Sequence, residues 1–176
     1  MNRAIISFYT RVGTDAANRT VNDVHAFGHA ELEGHHDFIQ WLFPLDVPSA
    51  AISQSPILEP SEITEFRASP ALRERLLMSL DLMLDFYGFE RKQTAISRSA
   101  TWDTRSVEWV TCRNHNFLRI TRILKSLSIL GLRDHAEALL EALDRVYADY
   151  PVVGEVTYQF WKSALLDPDI PSERNT

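Results

Sequence analysis

Apolar positions recur at spacings of three and four along most of the chain, the period of a helix with one buried face. The pattern is clearest over residues 69–88, where Leu72, Leu76, Leu80, Met83, Leu84 and Tyr87 share one side. Ser69 suits an N-cap, Pro70 the first helical turn, and Gly88 the left-handed stop. A second helix is predicted from Asn114 to Leu130, with Ile120, Ile123, Leu124, Leu127 and Leu130 as its stripe and Gly131 ending it. In a third, Asp134 and Glu137 stand at capping-box spacing, and Leu139, Leu140, Leu143, Val146 and Tyr147 face inward before Pro151. The Gly131–Arg133 link is short enough to make these two helices antiparallel neighbours. A fourth helix is expected over residues 153–166, with Val156, Phe160 and Ala164 inward, Trp161 a further candidate, and Asp167-Pro168 as the stop.

The first third has shorter periods. Residues 22–27 present Val24 and Phe27, with Val21 just before them. Residues 36–43 present Ile39, Leu42 and Phe43 before Pro44, and Ser61-Glu62 opens a helix holding Ile63 and Phe66. Residues 46–60, with three prolines, and residues 93–104, rich in Ser, Thr and Arg, read as irregular loops. No hairpin dipeptide separates alternating apolar runs, and no repeat is present. The expectation is an all-α (mostly α) fold, a compact multi-helix single domain over residues 1–176.

Composition narrows the function. At 176 residues and 45% hydrophobic the chain can bury a sizeable core, and its net charge of -6 argues against nonspecific wrapping of nucleic acid. The lone Cys112 excludes an intramolecular disulfide framework and a four-cysteine zinc site. No segment has the apolar core of a secretory signal, and none reaches the ~18 uncharged residues of a membrane span. The expected location is cytoplasmic.

Two constellations carry candidate chemistry. His25, His29, His35 and His36, with Asp37, could in principle hold a metal, which gives the alternative of a metal-assisted hydrolase. Gly28 and Gly34 interrupt the helix that this geometry needs, and no His-Glu-x-x-His appears. The other is a stripe on the second predicted helix: His115, Arg119, Arg122 and Ser126 fall on one side, roughly 100° from the apolar centre. Two planar guanidiniums at the core's edge suit a carboxylate or phosphate. The competing reading is internal pairing with Asp81, Asp85 or Glu108. Phe38, Trp41 and Phe43 around Gln40 form an aromatic run that fits either core or a binding hot spot. Cys112 three residues before His115 lacks any Gly-rich oxyanion hole and reads as an incidental thiol. The common nucleotide and hydrolase fingerprints are absent, and no catalytic residue, metal or cofactor is assigned.

Three ordered blocks resemble the conserved domain of the opioid growth factor receptor family. They are His36-Asp37-Phe38-Ile39-Gln40-Trp41-Leu42-Phe43-Pro44-Leu45, then Leu82-Met83-Leu84-Asp85-Phe86-Tyr87-Gly88, then His115-Asn116 with residues 118–127 and Leu130-Gly131. Phe8-Tyr9 and Val24-His25 fit the same pattern, and the resemblance spans residues 8–165. It implies a non-enzymatic domain that binds a peptide, a small anionic ligand or a protein partner. Members of that family bind the pentapeptide met-enkephalin and restrain proliferation from a nuclear or perinuclear location. With the sequence stopping soon after Pro168, a longer stretch between Trp109 and His115, and no arginine in residues 152–155, the expectation is a stand-alone bacterial relative. On the matching positions His115, Asn116, Arg119 and Arg122 are candidates for an anionic group, and Gln40, Trp41 and His36 for apolar or amide contacts.

Overall fold

A computed structural model describes residues 3–49, 52 and 55–166. Five helices precede the long central one: α1 Ala4–Tyr9, α2 Val21–His25, α3 His29–Gly34, α4 Ile39–Leu42 and α5 Pro60–Ala68. Then come α6 Pro70–Tyr87, a hairpin of β1 Phe89–Lys92 and β2 Ala95–Arg98, α7 Trp102–Trp109, α8 Asn116–Ile129, α9 Arg133–Asp149, a 3₁₀ turn at Pro151–Val153 and α10 Glu155–Ser163. The fold is mostly α, with this two-stranded antiparallel sheet the departure from an all-α reading.

Helix α6 forms as its sequence predicts. The Ser69 hydroxyl accepts from the Leu72 amide at 3.3 Å, and Gly88 closes the helix at φ +83°. A Cβ at Gly88 would sit 3.0 Å from the Trp102 Cα, so both the turn and the close approach require glycine. Leu72, Leu76, Leu80, Met83 and Leu84 are buried, and α6 packs on α2, α5, α7 and β1. Gly131, at φ +87°, turns α8 back onto α9, and the two helices bury Ile120, Leu124, Leu127, Leu139, Leu143 and Val146.

Three expectations about the elements need correction. Residues 93–104 are not a loop throughout: the chain reverses at Gln93, itself at φ +57°, pairs Phe89 with Arg98 and Lys92 with Ala95, and enters α7 at Trp102. Phe89 and Ile96 face the core, and the Arg98 guanidinium lies 4.4 Å over the Trp102 ring while bonding Asp149 at 2.6 Å. The capping box at Asp134 is absent, because α9 starts one residue earlier and Arg133 instead bonds Glu137 across one turn at 2.9 Å. The helix expected over 153–166 starts only after Gly154 (φ +76°), and its inward face is right at Ala164 and Trp161 but wrong at Val156 and Phe160. Trp161 is fully buried, while Val156 and Phe160 are 72% and 57% exposed. The proposed stop at Asp167-Pro168 lies outside the described residues. In line with the interruption expected at Gly28, α2 ends at His25 and α3 begins at His29 with Gly28 as its N-cap, so these histidines do not share a helix face. The described part of residues 46–60 is irregular as expected, apart from a parallel bridge between Leu45 and Ile57 and the first residue of α5, Pro60.

Candidate functional site

The polar stripe of α8 lies against the segment that runs from α3 to α4, and the partners it finds there are main-chain carbonyls. Arg119, 5% exposed, donates through Nη1 to the Leu32 carbonyl at 2.8 Å and to Asn116 Oδ1 at 3.2 Å. Its Nη2 reaches the His35 carbonyl at 2.7 Å and His36 Nδ1 at 3.1 Å. One turn on, Arg122 Nη1 donates to the Phe43 carbonyl at 3.0 Å, and the buried Ser126 hydroxyl donates to the Pro44 carbonyl at 2.9 Å. Leu32 and His35 end α3, and Phe43 caps α4. A cation at each of these C-termini satisfies orphan carbonyls and complements the helix dipole. Helices of six and four residues do not stand alone in water, so this capping by α8 is a large part of what holds them.

Asn116 joins the arrangement from two sides. Its Oδ1 accepts from the Tyr87 hydroxyl at 3.4 Å, and its Nδ2 donates to Glu33 at 3.3 Å. Gln40 is buried, with its amide nitrogen 3.2 Å from the carbonyls of His36 and Asp37. Trp41 packs its ring 5.5 Å from Phe8 and belongs to the core. All seven candidate residues therefore gather on one side of the molecule. Of these, His36 and His115 are exposed, Arg122 is half-buried, and Arg119, Asn116, Gln40 and Trp41 are enclosed.

The exposed edge is a histidine pair. The His36 and His115 rings meet edge to face at 5.3 Å, and His115 Nε2 lies 3.4 Å from Glu33. Burial and the Arg119 charge depress the His115 pKa below its ordinary value, with Glu33 opposing them. The Glu33 contact is accordingly one with a neutral imidazole at pH 7. Burial also lowers the pKa of Arg119 and Arg122, both of which stay charged at neutral pH because guanidinium does not titrate in proteins.

The acids Asp81, Asp85 and Glu108 do not pair with these arginines. Asp81 bonds Arg91, Asp85 bonds His29, and Glu108 lies by Arg105. The four N-terminal histidines diverge as well. His25 bonds the buried Ser79 hydroxyl at 2.8 Å and is pushed down by burial to a pKa of about 4; His35 stacks on Phe27; His36 faces Arg119. Among the described residues no group of three His, Cys, Asp or Glu side chains could hold a metal, so the geometry lends the hydrolase alternative no support. Glu33, Tyr87 and the ion pair of Arg19 with Asp37 (2.9 Å) belong to this region as well, and of these Glu33 and Arg19 had no signal in the sequence. Tyr87 and Asp37 did, as members of the second and first resembling blocks.

A mostly α-helical fold in which one helix caps two others through one buried and one half-buried arginine is the class of structure defined here. The chain belongs to the opioid growth factor receptor family: the model of that family's conserved region matches residues 6–166. It is 44% identical over 112 residues to the opioid growth factor receptor of Rattus norvegicus, covering 62% of this chain and 19% of that protein. The receptor of Homo sapiens is 42% identical over 114 residues, covering 62% of this chain and 16% of that protein. Opioid growth factor receptor-like protein 1 of Mus musculus is 35% identical over 115 residues, covering 64% and 24%. The chain thus matches less than a quarter of the length of these relatives. No solved structure matches it. No helix among the described residues is long and apolar enough to cross a membrane.

Proposed function

We propose that this chain is a non-enzymatic binding domain of the cytoplasm that takes a peptide or protein partner on the outward face of α8. The observation that carries the reading is an exposed row along that helix. His115, Leu118, Arg122 and Lys125 recur at spacings of three and four, and Leu118 is 73% exposed among cationic and titratable neighbours. His36 extends the row at its first turn, and the buried Arg119, Asn116, Gln40 and Trp41 hold it in place. A large aliphatic side chain flanked by charges is a common composition for a docking surface. Relatives named as receptors for an opioid growth factor support a peptide or protein ligand, and the net charge of -6 speaks against nucleic acid.

Calorimetric titration of the full chain with met-enkephalin tests the reading. Binding heat should vanish in Leu118→Asp while the thermal midpoint stays at the wild-type value, since Leu118 supports no core contact. A flat wild-type titration removes the peptide reading, and unchanged binding by Leu118→Asp removes the α8 face.

A further inference from the structure

At the far end of α8 a cleft of about 680 Å³ opens between four segments of the chain. Ile63 of α5 and Ile129 of α8, both half-buried, belong to its apolar lining, as do the buried Leu45 and Ala164. Two further aliphatics line it while remaining in water: Val47 is 54% exposed and Leu166 73%. Lys125 and Arg67 complete this lining with positive charge. Lys125 is exposed, and no acid pairs with it among the described residues. Arg67 spends Nε on the Ile129 carbonyl at 2.7 Å, leaving its terminal nitrogens without an acid partner among those residues. Asp46 is the one acid in the lining, and it lies beyond ion-pair distance of both cations.

An acidic chain that leaves two cations unpaired beside water-facing aliphatics carries a local surface opposite in sign to the whole. We propose that this cleft binds an acidic segment of a partner protein, with a leucine or isoleucine side chain entering the apolar lining and carboxylates meeting Lys125 and Arg67. The volume lies within the roughly 300–1,000 Å³ of ordinary ligand sites. The walls come from separate parts of the chain, so a ligand touching both cations and both exposed aliphatics spans several residues. The row that ends in Arg122 and Lys125 leads into the cleft and adds long-range attraction for a negative partner. The proposal rests on the binding-domain reading and gives its partner a chemistry.

The test is fluorescence anisotropy of the full chain with a dye-labelled, end-blocked octapeptide of alternating leucine and glutamate. Saturable, salt-sensitive binding is expected. Lys125→Glu should weaken it about fivefold with an unchanged thermal midpoint, and Asp46→Asn should tighten it about twofold. Replacing the peptide's leucines by alanine, or its glutamates by lysine, should abolish binding. Equal affinity for Lys125→Glu, or equal binding of the lysine peptide, overturns the proposal. So does tighter binding of a peptide of residues 167–176, which makes the chain's own C-terminal segment the occupant. Self-association that Lys125→Glu abolishes overturns it too, in favour of a second copy. Amide shift mapping separates the two readings. Shifts confined to His36, His115 and Leu118, with none at Val47 or Ile129, leave the binding domain standing without this cleft; no shifts anywhere remove both.

Discussion

The two halves of α8 use positive charge in opposite ways. In the first half Arg119 is enclosed and its donors are committed to the carbonyls of Leu32 and His35, so its charge is a structural fastener. In the second half Lys125 stands in solvent with no acid partner among the described residues, and Arg67 from α5, across the cleft, spends Nε on the Ile129 carbonyl while its terminal nitrogens have no acid partner among those residues. Residue type and helical spacing are alike in the two halves. What differs is whether a neighbouring helix C-terminus offers carbonyls that need donors. Donors taken by orphan carbonyls are absorbed by the fold, as both Arg119 terminal nitrogens are, and donors beyond them, as on Lys125 and the Arg67 terminus, stay free for a ligand.

The largest expected effect comes from breaking the committed half. Arg119→Leu leaves the buried Leu32 carbonyl and the part-buried His35 carbonyl without this donor and should cost about 3 kcal/mol in urea unfolding, together with loss of exchange protection in α3. A loss under about 0.5 kcal/mol would falsify the fastener role, since that is the scale of an unremarkable surface change. Ser126→Ala should cost about 1 kcal/mol, because one buried carbonyl, that of Pro44, loses its partner. If the Ser126→Ala loss equals that of Arg119→Leu, the charge contributes nothing beyond a hydrogen bond.

The smallest effect is absent at pH 7 and emerges on acidification. His115 has a depressed pKa in the folded chain, so below the ordinary value of 6.5 the unfolded chain binds more protons at this site. Stability contributed here is therefore constant above that value and falls as pH drops through it. His115→Gln should flatten the decline of the thermal midpoint between neutral and mildly acidic pH. His25 and His135, also depressed, keep the remaining slope. Superimposable pH profiles of the variant and wild type would show that His115 titrates alike in both states.

Much of this arrangement was legible in the sequence. Ser69, Pro70 and Gly88 bracket α6, Gly131 turns α8 into α9, and the placement of His115, Arg119 and Arg122 on one stripe at the core's edge matches the structure. The partners of that stripe were not legible. Carbonyls exist at every residue, so no pattern marks those of Leu32, His35 and Phe43 as the ones left over. The hairpin was hidden because its turn places Gln93, not glycine, in the left-handed region. The face of α10 was read correctly at Ala164 and misread at Val156 and Phe160, because periodicity weighs them no less than Trp161, whereas the indole fills the core and donates to the Phe117 carbonyl at 3.2 Å.

That indole has a consequence for the cleft. Within α10 the Trp161 indole is enclosed in the core and Tyr158 stacks on Tyr147 of α9 at 4.0 Å, so two aromatic rings provide the mooring of this short helix. Ser163, Ala164 and Leu166, immediately beyond the mooring, form one wall of the cleft. Slipping the mooring is a local opening, lower in free energy than global unfolding. The wall is thus present for only the docked fraction of time, and any ligand's apparent affinity is scaled by that fraction. A ligand that touches the wall in turn tightens the mooring, which makes the α10 amides a gauge of cleft occupancy.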